Sequence, residues 1–235
     1  MKIFVTGGTG YIGSHTVVEL QKNGYDVIIA DNLVNSSLEV LDGIEKITGI
    51  RPEFEEIDLT DGEVTRDFFA RHSDIRAVIH FAALKAVGES VNKPLEYYFN
   101  NLNSLMNVLT CMREFKVPNL VFSSSCTVYG QADVLPVTEK TPRHEAESPY
   151  GNTKVMSEDI IRDLMRVEPD MKALALRYFN PIGAHPTAFI GELPNGVPNN
   201  LIPYLTQTAI GIREQLSVFG DDYNTPDEIG RASCR

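Results

Sequence analysis

The 235-residue chain has no tryptophan, only three cysteines and only five histidines. Cys111, Cys126 and Cys234 form no metal-ligand spacing and leave an odd thiol, so a disulfide framework is not predicted and reduced cysteines in a cytoplasm are. The histidines are scattered without paired spacing, and no metal site is expected. No apolar run approaches the roughly 18 residues that a membrane helix needs. Residues 2–6, KIFVT, already read as a strand, which leaves no room for a signal peptide. Positive charge is short as well: 21 Lys and Arg against 32 Asp and Glu give a formal charge of -11, which argues against nucleic acid or an anionic membrane as partner.

What is present is an apolar content of 43%, enough for a sizeable core. Short Val/Ile/Phe-rich runs alternate with helical periodicity over the first two thirds, the pattern of an α/β fold with a doubly wound, Rossmann-type parallel sheet. The predicted strands are KIFVT (2–6), DVIIAD (26–31), FEEID (54–58), AVIHFA (77–82), LVFSSS (120–125) and ALALRYF (173–179). A helix is predicted over Pro94 to Glu114, where Leu95, Tyr98, Leu102, Leu105, Leu109 and Met112 recur at helical spacing. After Phe179 the chain turns rich in Pro and Gly, with one short helix near Asn200 to Gly211 and a strand LSVFG. The expected organisation is a dinucleotide-binding domain over 1–179, a partial second lobe over 180–227 and an aberrant tail over 228–235.

Two short stretches carry chemistry. TGGTGYIG follows the first strand and sets Gly7, Gly10 and Gly13 three apart before an apolar helix from Tyr11 to Leu20. Glycines let the backbone turn sharply and approach a pyrophosphate at the helix N-terminus. Asp31 closes the second strand, where a carboxylate accepts from an adenosine ribose and repels a 2′-phosphate, so NAD is favoured over NADP. Asp58, Phe81, Ala82, Lys85 and Asn100 lie at or beyond later strand ends, where capping and packing are as good an account of each as ligand contact. In SPYGNTK, Tyr150 and Lys154 stand at i and i+4 on the opening turns of a helix. Lowering a phenol by about three pKa units takes roughly 4 kcal/mol. One cation at about 4 Å supplies that order of energy at an effective dielectric near 20, so Lys154 together with an oxidised nicotinamide would suffice to make Tyr150 a proton acceptor.

These residues resemble the extended short-chain dehydrogenase/reductase family, and within it the UDP-hexose 4-epimerase branch. The resemblance rests on VTGGTGYIGSHT, VIHFAALKAVGESV, KPLEYY, FSSSCTVYG, SPYGNTK, LRYFNPIGAHP and GVPNNLIPY, in that order, from residue 1 to about Asp227. It implies a tightly held NAD, UDP-glucose and UDP-galactose as substrates, and reversible inversion at sugar C4 through a 4-keto intermediate. Ser125, Tyr150 and Lys154 would be the catalytic residues. The implied cofactor set is Gly7, Gly10, Tyr11, Ile12, Gly13, Asp31, Asn32, Asp58, Leu59, Phe81, Ala82, Lys85, Asn100 and Phe179, with Tyr150 and Lys154. Ser125, Tyr150, Asn180, Asn200, Leu216, Ser217 and Phe219 would touch substrate. Homodimers built on paired helices are a further implication.

Two departures from the family pattern stand out. Cys126 replaces the usual alanine and reads as a small core residue. After DDYNTPD the chain runs EIGRASCR where RDYIHV would be expected, so a C-terminal truncation is expected and no role is assigned to Arg231. Three competing readings remain: a nucleotide-sugar dehydratase, which would need an acid after Ser125, a cofactor-releasing reductase, and a non-catalytic NAD-binding homologue.

Overall fold

A computed structural model describes residues 1–198 and 200–217, together with Gly220 and Asp222. Phe219, Asp227, Arg231 and Cys234 lie outside the described residues. Six strands form one parallel sheet: β1 (Lys2–Thr6), β2 (Asp26–Asp31), β3 (Glu53–Glu56), β4 (Ile75–His80), β5 (Asn119–Ser123) and β6 (Lys172–Leu176). Their order across the sheet is β3-β2-β1-β4-β5-β6, so the winding reverses between β1 and β4. That reversal opens a crevice beyond the strands' carboxyl ends, the place where such sheets bind ligands.

Strand alternation decides which residues cover each face. Phe4, Ile28 and Ala30 point to one side, where Phe68 and Phe69 of α3 (Gly62–Arg71) and Leu105, Val108, Leu109 and Met112 of α5 (Pro94–Glu114) join them. Ile3, Val5, Val27 and Ile29 point to the other, against Val17 and Val18 of α1 (Tyr11–Lys22) and Leu41 and Ile44 of α2 (Glu39–Thr48). Ile190 completes that second core, so the chain returns to the N-terminal half after β6. The remaining helices are α4 (Val87–Asn92), α6 (Pro149–Val167) and α7 (Leu201–Ala209), with a 3-10 turn at Cys126–Tyr129. None of the described helices is long and apolar enough to cross a membrane.

Three expectations need correction. The buried residues of α5 are Tyr97, Asn101, Ser104, Leu105, Val108, Leu109, Cys111 and Met112, so Leu105, Leu109 and Met112 of the periodic set are buried whereas Leu95 is 81% exposed. Polar Asn101 and Ser104 share that buried side, which an apolar count does not select. Strand β5 stops at Ser123 and β6 at Leu176, short of Ser125 and Phe179. Leu216 and Ser217 carry no strand, and the rest of LSVFG except Gly220 is outside the described residues.

Candidate active site

The glycine turn sits at the reversal between β1 and β4. Gly7 has φ +66°, and a Cβ there would lie 2.8 Å from the Ala82 amide nitrogen. A Cβ on Gly13 would lie 2.2 Å from the Gly7 carbonyl oxygen. Only glycine allows either approach. Gly10 caps α1 without any side-chain hydrogen bond, so the helix's first N–H groups have no competing side-chain oxygen at the cap. The bare cradle and uncapped helix fit a dinucleotide's pyrophosphate. Asp31, at the end of β2, accepts from the amides of Thr9 (3.4 Å) and Leu33 (3.0 Å) and from the Ser36 hydroxyl (3.2 Å), which fixes its carboxylate beside the turn. Asn32 is exposed and Tyr11 donates to the Gly183 carbonyl.

Other predicted positions divide. Phe81 and Ala82 lie in the crevice, each held by Thr6: the Phe81 amide donates to its carbonyl and the Ala82 amide to its hydroxyl. Asp58 takes the Thr60 amide and hydroxyl in a local turn, and Leu59 is buried in the core, so both have structural work of their own. Asn100 donates to Asn101. Phe179 and Asn180 are exposed just past β6. Asn200, preceding α7, donates to Glu192, whose Oε1 also lies 3.8 Å from the Lys85 ammonium.

Tyr150, Lys154 and Ser125 come together at the carboxyl end of β5. Ser148 caps α6 by accepting from the Gly151 amide, and Pro149 occupies the first turn. The i, i+4 spacing then stacks Tyr150 over Lys154, whose Nζ lies 5.8 Å from the Tyr150 ring centre. Lys154 is 4% exposed, donates to the Ser123 carbonyl at 2.9 Å and lies 5.0 Å from the Phe122 ring centre. Burial lowers its pKa to about 8. Ser125 caps the 3-10 turn by accepting from the Thr127 amide at 3.2 Å.

The phenol's own surroundings in the chain oppose ionisation. Burial pushes Tyr150 up to about 12, against the opposing pull of the Ser125 hydroxyl, and Tyr178 and Cys126 raise it further. The spacing brings Lys154 close, yet the chain alone does not make a low-pKa phenol.

Several working residues carry no sequence motif of their own. Asn101 takes the Leu84 amide, donates to the Leu84 carbonyl and donates to Thr153, joining the loop after β4 to α6. His80 stacks on Phe122 and pairs through Nδ1 with the Thr6 hydroxyl at 2.9 Å. Burial, reinforced by Lys154, lowers the His80 pKa to about 3, so the imidazole is neutral, and the Thr6 hydroxyl that pairs with it also accepts the Ala82 amide. Tyr178 pairs with the Ser123 hydroxyl, and its carbonyl accepts the Cys126 amide. Two adjacent asparagines inside an apolar helical pattern are the signal that would have found Asn101.

The depressed Lys154 pKa sets a pH dependence. The unfolded chain holds the lysine proton up to about 10.5 while the folded chain releases it near 8. Between those values the unfolded state binds more protons, so stability rises with pH. The expected gain between pH 7.5 and 9.5 is about 2 kcal/mol. Thermal melts of wild type and Lys154→Met check it: the variant lacks this rise, and parallel curves would refute the assignment.

Comparison with known proteins agrees with this geometry. The family model described as "NAD dependent epimerase/dehydratase family" matches residues 3–225. The UDP-glucose 4-epimerase of Bacillus subtilis is 54% identical over 230 residues, covering 98% of this chain and 67% of that protein. The mouse UDP-glucose 4-epimerase is 52% identical, covering 97% and 67%. The crystal structure of the Bifidobacterium longum UDP-glucose 4-epimerase, in complex with NAD+ and UDP, superposes with a TM-score of 0.94 at 46% identity, covering 97% of this chain and 68% of that one. The chain thus spans about two thirds of the length of these relatives. With the glycine turn, the sheet order and the family match in agreement, the chain belongs to the NAD dependent epimerase/dehydratase family.

Proposed function

We propose that the chain binds NAD and interconverts UDP-glucose and UDP-galactose by reversible inversion at sugar C4. The observation that carries the reading is the cluster of buried Ser125 and Lys154 with half-buried Tyr150, separated by β4 from a glycine cradle too tight for a Cβ at Gly7 or Gly13. Its support from relatives is their common naming and the NAD+ and UDP in the Bifidobacterium structure. NAD, when bound, supplies a reversible hydride acceptor. Ser125 orients the reacting oxygen, Tyr150 takes the 4-hydroxyl proton and returns it, and Lys154 adds positive charge beside the phenol. The 4-keto sugar turns over between the two transfers. Residues 1–179 would hold the dinucleotide and 180–227 part of the nucleotide sugar, with Asn180, Asn200, Leu216, Ser217 and Phe219 as contacts.

A dehydratase needs a free acid near Ser125. The buried carboxylate nearest in sequence to Lys154 on α6, Glu158, is committed to Ser124 and Arg177, which favours chemistry at one carbon over loss of water. Incubating the purified chain with UDP-galactose tests the proposal: UDP-glucose is expected without net release of reduced cofactor, and none forming despite bound NAD would sink it. Self-association belongs to the same proposal, supported by the exposed Leu95, Phe99 and Met106 along α5, and light scattering that returns a monomer would remove it. So does a cytoplasmic setting, supported by the unpaired buried thiol of Cys111 and tested by cell fractionation.

A further inference from the structure

Gly43 interrupts α2 in its second turn, an unfavourable residue for a helix interior. The reason lies far along the chain. A Cβ at Gly43 would sit 2.4 Å from the Phe189 carbonyl oxygen and 2.9 Å from an Ile190 side-chain carbon. Ile190 is 3% exposed, packed among the residues between the sheet, α1 and α2, while the Lys46 ammonium lies 5.5 Å from the Phe189 ring centre. The missing side chain is a notch, and the 189–190 peptide fills it.

From this anchor the segment 183–195 reaches several loops at the carboxyl edge of the sheet. Tyr11, in the first turn after the glycine cradle, donates to the Gly183 carbonyl at 2.8 Å. Asn195 donates to the Val34 carbonyl, three residues beyond Asp31. Glu192 faces Lys85 beyond β4. The segment therefore runs as a strap from the pyrophosphate cradle past the β4 loop to the loop beyond the ribose carboxylate, pinned by Ile190 in the Gly43 notch.

We infer that this strap, anchored by Ile190 in the Gly43 notch, encloses the dinucleotide and sets its rate of release. The inference rests on the proposed NAD reading. A ligand on the Gly7–Gly13 turn leaves only when the strap lifts, and lifting the strap means withdrawing Ile190 from the core. Exchange of bound NAD is then governed by the anchor as well as by contacts to the cofactor.

The test follows release of a fluorescent ethenoadenine NAD from the full chain into excess NAD. Gly43→Ala is the decisive variant, because alanine improves the helix while filling the notch. Its release is expected to be faster by about tenfold or more, with α-helical circular dichroism intact, because such changes act mainly on the dissociation rate. Ile190→Ala should do the same, and Val108→Ala, a comparable truncation on the opposite face of the sheet, should leave release near the wild-type rate. Wild-type release from Gly43→Ala, or equal acceleration by Val108→Ala, would overturn the strap and leave NAD binding intact. A wild-type chain that takes up no NAD would overturn the cofactor reading and the strap together.

Discussion

Replacing Tyr150 by Phe is expected to leave NAD bound and to abolish sugar interconversion, with a loss of at least 10²–10⁴-fold, the range typical of a lost general acid–base group. Energetics explain why the single hydroxyl matters so much. Burial holds the phenol near 12 in the chain alone. Bringing it to neutrality means a fall of roughly 5 units, or about 7 kcal/mol. A unit charge at about 4 Å contributes roughly 4 kcal/mol at an effective dielectric near 20. One ammonium is therefore insufficient, and Lys154 is itself divided among the Ser123 carbonyl, the Phe122 ring and the Tyr150 ring. A second positive charge is required, which in the proposed reading is that of the oxidised nicotinamide. In that reading Tyr150 would work as a base only with oxidised NAD bound. Steady-state turnover, with bound NAD measured on the same sample, checks the expectation. Turnover within a few-fold of wild type would remove Tyr150 from the mechanism.

The contrast between spacing and environment shows what could be read from the sequence. Glycines at 7, 10 and 13 after an apolar strand, with Asp31 closing the next strand, gave the cradle because each rests on a local rule of backbone conformation. The Tyr150–Lys154 pair was legible for the same reason, since i and i+4 share a helix face. Its pKa was not, because burial depends on β5, the 3-10 turn and Tyr178 folding around it. The periodicity of α5 shows Leu105, Leu109 and Met112 but not Asn101, which is buried to hold Leu84 and Thr153, a demand that no apolar period reveals. Gly43 offered a signal of its own, a glycine in a helix interior, but its partner at 189–190 is fixed only by tertiary structure.

Glu158→Ala is expected to be the most destabilising single change on α6. Glu158 continues the face of Tyr150 and Lys154 by one further turn, and its side chain is only 6% exposed. It accepts from the Ser124 hydroxyl at 2.6 Å and from Arg177 at 2.8 and 2.6 Å, with Arg143 at 3.6 Å. Burial alone would raise its pKa, but the hydrogen bonds from Arg177 and Ser124 and the charges of Arg177 and Arg143 override that and hold it below the ordinary value. One carboxylate thus ties α6 to the residue before Ser125, to the residue before Tyr178 and to the loop that carries Arg143. Removing it leaves the Arg177 guanidinium without its bidentate partner while Arg143 keeps Asp159, a change that costs about 3–5 kcal/mol when such a pair is buried. For a domain of this size that corresponds to a fall in Tm of roughly 10 °C. Glu158→Gln, which keeps an acceptor for Ser124 but loses the charge, should fall between wild type and Glu158→Ala. The bidentate Arg66–Glu114 pair is the control, because it is solvent-exposed and Glu114→Ala should shift the melt far less. A depressed carboxylate contributes stability above its unfolded pKa and loses it as pH falls through the folded one, so the gap between wild type and Glu158→Ala should narrow on acidification. Equal melts for Glu158→Ala and Glu114→Ala at neutral pH would show that the cluster does not hold the Ser125 turn against α6.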